Sequence, residues 1–199
     1  MFRSYAVVPA AGRSVRMGRH KLLMPWSGGT LIEHVLSAWL SSRVTHVVVV
    51  VRADDARLRD VCLNVGVDVL VPEVAPPEMR VSVQGALRYV QEQQSPQETD
   101  VWMLAPADMP GLSARLIDTV LEAHDPDAPA ILVPTQGTKR GHPVLFPWSL
   151  AGKVGQLSEH AGVNALFIDN PVRSVDCVDT ASFQDVDTPA DVERLRGPE

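Results

Sequence analysis

The sequence predicts a three-layer α/β fold with a mostly parallel sheet. Short, strongly apolar runs alternate with amphipathic helical patterns along the whole chain. The run from Val44 to Val51 contains five consecutive valines, as expected of a parallel strand buried on both faces. Helix-start chemistry, such as Thr30 with Glu33 three residues on, punctuates the alternation.

Taken in order, Tyr5 to Pro9 reads as the first strand. Thr30-Leu31-Ile32-Glu33 is a capping box opening a helix through about Ser41, with Leu31, Val35, Ala38 and Trp39 at core spacing. After the valine strand, Asp54 is the expected cap of a helix ending near Gly66, and Val67 to Val71 is the next strand. Three prolines between Pro72 and Glu78 break regularity. Ser82 to Gln94 reads as helix, with Val83, Leu87 and Val90 on one side. Val101 to Ala105 is a strand closed by Pro106-Ala107-Asp108-Met109-Pro110, and Ser113 caps a helix reaching His124. Ala130 to Val133 and Pro143 to Phe146 are two strands joined by a polar turn, Thr135 to His142. A helical stretch over Asn164 to Ile168 and a strand over Val172 to Val178 follow. Thr188-Pro189 opens a last helix, where Asp191 can reciprocate the Thr188 cap.

At 199 residues, a single domain spanning 1–199 is expected, long enough to bury roughly 70% of its unfolded surface. The net charge of −6 argues against general binding to nucleic acid or anionic membrane. No run approaches the ~18 apolar residues of a membrane span, and the start lacks the pattern of a signal peptide. The expected compartment is the cytoplasm. Cys62 and Cys177 are far apart in apolar surroundings, and buried free thiols are expected.

Against the acidic balance, Arg13, Arg16, Arg19 and Lys21 fall within nine residues, interleaved with Gly12 and Gly18. Glycine lets backbone N–H groups approach a ligand, and clustered cations neutralise phosphate oxygens. A strand feeding such a loop is where an α/β sheet places a nucleotide. Five residues separate the two glycines, so the loop is no P-loop, and G-x-G-x-x-G is absent. Asp108 follows a buried strand, where ligands bind at the carboxyl edge of an open sheet. Ser113 already caps the next helix, which leaves Asp108 available to a metal ion. In Asp185-Val186-Asp187-Thr188-Pro189-Ala190-Asp191, alternation points Asp185 and Asp187 to one side, and only Asp191 has a capping task.

Ala10-Ala11-Gly12-Arg13-Ser14-Val15-Arg16-Met17-Gly18-Arg19-His20-Lys21 resembles the signature loop of NTP-dependent nucleotidyltransferases. It is most similar to that of the molybdenum cofactor cytidylyltransferases and their guanylyltransferase relatives, the molybdopterin-guanine dinucleotide synthase-like proteins. The Asp108 and Asp187 segments resemble two further motifs in the expected order. The resemblance implies a Rossmann-like nucleotidyltransferase fold and attack of an acceptor phosphate on the α-phosphorus of an NTP, with release of pyrophosphate.

It also implies residue roles. Pro9, Ala10, Ala11, Gly12, Arg13, Ser14 and Lys21 would hold the nucleotide, with Arg16, Lys21 and Asp108 carrying catalysis. Mg²⁺ would sit on Asp108 and Asp187. Ser82 and Gly85 match a nucleotide-contacting segment at a helix start, although Glu78-Met79-Arg80-Val81 stands where the family usually has glycine and serine. Lys139-Arg140-Gly141-His142-Pro143 is similar to a segment lining the acceptor side, making Arg140 and His142 candidates there; its plainer reading is a hairpin turn. The chain departs from the family at Ser158 to Asn164, with Glu159 as the acid and Asn164 near the place of an arginine. Asn lacks that charge and fork geometry, so the departure bears on the acceptor.

Guanine-using relatives tend to have a second glycine where Ala10-Ala11 stands, so the expected substrates are CTP and molybdopterin, with possible delivery of the product to a molybdoenzyme or its chaperone. Alternatives are GTP, or the same chemistry on a sugar or polyol phosphate. A nicotinamide-dependent oxidoreductase is opposed by the missing glycine fingerprint. A non-catalytic nucleotide-binding module would be expected to lack a metal carboxylate.

Overall fold

The computed structural model describes residues 2–13, 20–177, 191, 192 and 195. Ten strands are seen among them: β1 (Ser4–Pro9), β2 (Pro25–Trp26), β3 (Gly29–Thr30), β4 (His46–Val50), β5 (Asp68–Leu70), β6 (Val101–Leu104), β7 (Ile131–Gln136), β8 (Lys139–Arg140), β9 (Val144–Pro147) and β10 (Val172–Asp176). The helices are α1 (Leu31–Leu40), α2 (Ala56–Val65), α3 (Met79–Gln94), α4 (Ala114–Glu122) and α5 (Ala151–Val154), with 3₁₀ turns at Lys21–Leu23, Trp148–Leu150 and Val163–Phe167.

Eight strands form one sheet in the order β10-β7-β9-β6-β1-β4-β5, with β8 paired to β7; β2 and β3 make a separate hairpin. β4, β1, β6, β5, β7 and β10 share one direction, and β9 runs against both of its neighbours, β6 and β7. The predicted three-layer, mostly parallel architecture is what the chain adopts.

Period-two alternation divides the strands between two cores. Ala6 and Val8 of β1, Val47 and Val49 of β4, and Val101 and Met103 of β6 face α1, α2 and α4. Tyr5, Val7, Val48, Val50, Trp102 and Leu104 face α3, α5 and the Val163–Phe167 turn. Both faces of the valine run are therefore covered, and β-branched side chains suit such a pleated surface.

The caps follow the sequence closely. Thr30 and Glu33 form the reciprocal box on α1, and Ser113 accepts the Leu116 N–H at the start of α4. Gly66 closes α2 at φ +90°, a left-handed conformation that favours glycine. Asp55, rather than Asp54, caps α2 by accepting the Leu58 N–H at 3.3 Å; Asp54 is drawn away by Arg52 Nε at 2.7 Å.

Other differences have simple causes. α3 begins at Met79, three residues before the expected Ser82, with no side-chain cap to mark its start. The polar turn after β7 carries the extra strand β8, pairing Lys139 and Arg140 with Gln136 and Thr135. The β2–β3 hairpin and the helical turns over 148–154 are too short to show a period. Val178 and the Thr188-Pro189 helix start lie outside the described residues.

Candidate nucleotide-binding site

The site is built on the carboxyl edge of the sheet, where β1, β4 and β6 end side by side. Pro9 is opposite Val50, and Val7 opposite Leu104. The Ala10 N–H donates to Val50 O at 2.9 Å, extending the sheet pairing by one residue. Pro9 has no N–H, so the amides that the loop can offer a ligand begin after Ala10 rather than at it. Ala11 is buried, whereas Gly12 and Arg13 are exposed. A Cβ built on Gly12 would meet nothing within 4 Å, and its φ is not left-handed. The chain's own packing therefore does not require a glycine there.

Lys21 Nζ is ion-paired with Asp108 Oδ2, which joins the N-terminal loop to the turn after β6. The two side chains retain 16% and 19% exposure, so water reaches both charges. Two of the predicted site residues, 87 positions apart, thus meet on this edge. His142 joins them from β9. That strand starts where β6 ends, with Val144 opposite Leu104, and His142 Nδ1 lies 3.1 Å from Leu104 O. A carbonyl only accepts, so Nδ1 is the donor.

Arg140 and Asn164 make a second group. The Arg140 guanidinium stands 5.8 Å over the Phe167 ring, one 3₁₀ turn along from exposed Asn164. Both belong to segments beyond β7, on the side of β6 away from β4. Ser82 and Gly85 do not mark a helix start. Ser82 is buried as the fourth residue of α3, and a Cβ on Gly85 would approach Leu70 Cδ2 at 3.5 Å. The earlier start of α3 puts its first N–H groups at Met79 and Arg80, and the Val81 N–H already donates to Glu78 O at 3.1 Å, so Ser82 and Gly85 lie within the packed first turns of the helix. Ser14, Arg16, Asp185 and Asp187 lie outside the described residues.

Three further residues, Arg52, Asp54 and Asp55, lie against the loop. Arg52, the first residue after the buried valine run, is 12% exposed and donates through Nη1 to Ala11 O (3.2 Å) and Gly12 O (3.1 Å). Its Nη2 lies 3.9 Å from Asp55 Oδ2. Asp55 in turn meets His20 Nε2 at 2.5 Å. Asp54 takes Arg52 and, at 3.3 Å, Arg13; the Arg52 hydrogen bond is the main cause holding its carboxyl below the usual range. The signal was the rule that singled out Asp108: a charged residue just past the carboxyl end of a buried parallel strand.

Among the described residues no three His, Cys, Asp or Glu side chains cluster as a metal site. The donor chemistry present at Asp108, a half-open carboxylate at a strand's carboxyl end, nevertheless suits Mg²⁺, which takes one or two carboxylates and completes its shell with waters and phosphates. Cys62 and Cys177 are free and buried, as expected. Burial pushes the Cys62 thiol up to about 12 and raises Cys177 as well, so neither is a ready nucleophile. No helix among the described residues is long and apolar enough to cross a membrane.

A carboxyl-edge loop rich in cations, joined to a strand-end aspartate, defines a nucleotidyltransferase-type site. Residues 6–174 match the MobA-like NTP transferase domain family, and the chain belongs to it. It is 28% identical to the nicotine blue oxidoreductase of Paenarthrobacter nicotinovorans, over 95% of this chain and 94% of that protein. It is also 28% identical to a probable molybdenum cofactor guanylyltransferase of Natronomonas pharaonis, over 96% and 95%. The 2-C-methyl-D-erythritol 4-phosphate cytidylyltransferase of Vibrio vulnificus is 36% identical over 59% of this chain and 49% of that protein. Among solved structures, Rv0371c from Mycobacterium tuberculosis H37Rv superposes with a TM-score of 0.83 at 27% identity, covering 99% and 100% of the two chains. A complex of that protein with manganese gives 0.79 at 25%, again over 99% and 100%.

Proposed function

We propose that this nucleotidyltransferase moves CMP from CTP to a phosphate acceptor, molybdopterin being the favoured one, with release of pyrophosphate in the cytoplasm. The observation that carries the reading is the Lys21–Asp108 pair, which places a cation and a carboxylate together at the foot of the glycine loop. An attacking phosphate and a triphosphate repel, so the site must neutralise both before they approach. Lys21 offers charge to the phosphates, and the Gly12 and Arg13 amides offer fixed dipoles that need no reorganisation during reaction. Asp108, with Asp187, would hold a divalent ion, Mg²⁺ or the manganese found with Rv0371c, supplying Lewis-acid stabilisation of phosphate charge. While no nucleotide is bound, Lys21 and Asp108 pair with each other; a metal-bearing triphosphate would offer each of them a partner of opposite charge instead. Positioning and electrostatics suffice, with no covalent nucleophile.

CTP is favoured by Ala10-Ala11 at the loop and by the cytidylyltransferase relative; GTP is favoured by the guanylyltransferase relative. Arg140, held beside Phe167, and His142 are the acceptor-side groups, with Asn164 at the rim. Arg140, from β8, brings a cation against the Val163–Phe167 turn, where Asn164 lacks one. A second reading, nicotinamide-linked reduction, has one observation behind it, the whole-length relative named as an oxidoreductase.

The deciding experiment measures pyrophosphate release from each NTP, with and without molybdopterin, beside NADH and NADPH oxidation. CTP-dependent release that needs molybdopterin is the expected result. Release with GTP alone would change the nucleotide, and release only with a sugar or polyol phosphate would change the acceptor. Coenzyme oxidation without pyrophosphate would overturn the proposal.

A further inference from the structure

Loop conformations that present successive amides to one anion are held by something, because a peptide plane left alone samples many orientations. Here the neighbouring carbonyls of Ala11 and Gly12 both point at one guanidinium, Nη1 of Arg52, at 3.2 and 3.1 Å. The peptide unit is planar and trans, so each carbonyl and the following N–H point opposite ways. Fixing Ala11 O and Gly12 O toward Arg52 therefore fixes the N–H groups of Gly12 and Arg13 away from it. Two successive amides aimed to one side form an anion-binding concavity.

The guanidinium is itself well held. It is 12% exposed, anchored by Asp54 Oδ1 at 2.7 Å and flanked by Asp55 Oδ2 at 3.9 Å. Asp55 is rigid because it caps α2, and it also meets His20, the residue before Lys21. One short segment after β4 thus touches the chain at Ala11–Gly12 and again at His20.

We propose that Arg52 is a positioning residue for this nucleotide site: it orients the Gly12 and Arg13 amides for phosphate oxygens, while Asp55 fixes Arg52 and His20 relative to each other. This rests on the reading of the site as an NTP site, but the orientation of the loop is a property of the free protein and is tested there first. A guanidinium suits the task because its fork reaches two acceptors in fixed geometry, which an ammonium cannot do. Without it, only a fraction of molecules would present the amides correctly, and the apparent affinity for nucleotide would fall by that fraction.

The test compares the full chain with Arg52→Gln, Arg52→Lys and Asp55→Asn. Asn also caps helices, so the last variant removes the charge while keeping α2. In the ligand-free proteins, NMR order parameters of the Gly12 and Arg13 N–H vectors should fall from about 0.85 to below about 0.6 in Arg52→Gln, with β1 and β4 unchanged and Arg52→Lys intermediate. With CTP and GTP, KM should rise about tenfold while kcat stays within about threefold, the signature of lost pre-organisation rather than lost chemistry. Unchanged order parameters in both Arg52→Gln and Asp55→Asn overturn the clamp, whatever the enzyme does with nucleotide. Lower order parameters with unchanged KM, or a fall in kcat alone, overturn the role in nucleotide positioning. A wild-type protein that binds neither CTP nor GTP defeats the reading of the site, and the order parameters still judge the clamp.

Discussion

Strand β6 has an aspartate at each end, and the two are held in opposite ways. Asp100, just before the strand, is 3% exposed and saturated with donors: the Arg3 and Gln97 N–H groups at 2.7 and 2.8 Å, Arg3 Nε at 3.2 Å and the Tyr5 hydroxyl at 3.5 Å. Arg3 also reaches Gln94 O and Ser95 O at 2.9 and 3.0 Å, so this network ties the start of β1 and the start of β6 to the end of α3. Asp108, beyond the other end, is 19% exposed and is paired, among the described residues, with the Lys21 ammonium. An acid surrounded by fixed donors can stabilise the fold but has little left for a ligand. An acid with a single exchangeable cation partner and access to water can exchange that partner for another. The amino edge of the sheet is where this chain secures its structure, and the carboxyl edge is where it keeps its charges available.

The largest effect that would break this contrast concerns Asp108. Asp108→Asn should cut turnover by roughly 10²-fold or more, as loss of a preorganised charge does, with a thermal midpoint close to wild type. Near-normal pyrophosphate release in that variant would remove Asp108 from the site. Asp100→Asn should do the reverse, costing about 2–3 kcal/mol in urea unfolding because it disrupts a buried, charge-assisted network, with activity per folded molecule retained. Equal losses of activity and stability in both variants would erase the distinction between the edges.

The same contrast has a pH signature. Burial pushes the Asp100 carboxyl up, but the Arg3 and Gln97 N–H donors and the Arg3 charge outweigh it and hold the group below its ordinary range. A folded-state value below the unfolded one, about 3.9, means that the stabilisation is fully present above the unfolded value and is lost as pH falls through the folded one. Urea midpoints measured from pH 6 down to pH 2 should therefore decline, and Asp100→Asn should flatten that decline. An unaltered slope would mean that Asp100 is not the acid responsible. The smallest effect belongs to Gly12. With open space around its missing Cβ, Gly12→Ala should leave the thermal midpoint unchanged and raise the nucleotide KM about fivefold, roughly 1 kcal/mol. A drop in the midpoint with no change in KM would assign the glycine to folding.

Much of the scaffold was legible because its signals are local. The five valines, the Thr30–Glu33 box, Ser113 and Gly66 each act on backbone within a few residues, and the structure uses all of them. Lys21 and Asp108 were legible from position alone, one in a cation-rich loop and one at a strand end. Arg52 stands just past the carboxyl end of a buried strand, as Asp108 does, but was not singled out, because its loop partners are backbone carbonyls some 40 residues away, which leave no pattern in residue types. Asp100 was missed for the same reason, since two of its donors are main-chain N–H groups. The reversal of β9 was hidden too, for an apolar run reads the same whichever way its strand runs. Ser82 and Gly85 misled because a helix without a capping side chain gives no sign of where it begins.

Among the described strands of four residues or more, β9 alone opposes the rest. The stretch entering it, residues 137–142, therefore arrives at the nucleotide edge as the lead-in to a strand instead of as the exit from one. The loops after β1 and β6 carry Lys21 and Asp108, and a change in the length of either would move that pair. A hairpin carries no such burden. Its tip can lengthen, shorten or change sign of charge while the loop from Pro9 to Arg13 stays put, which under the proposed function would let one scaffold be readdressed to a different acceptor by altering about half a dozen positions.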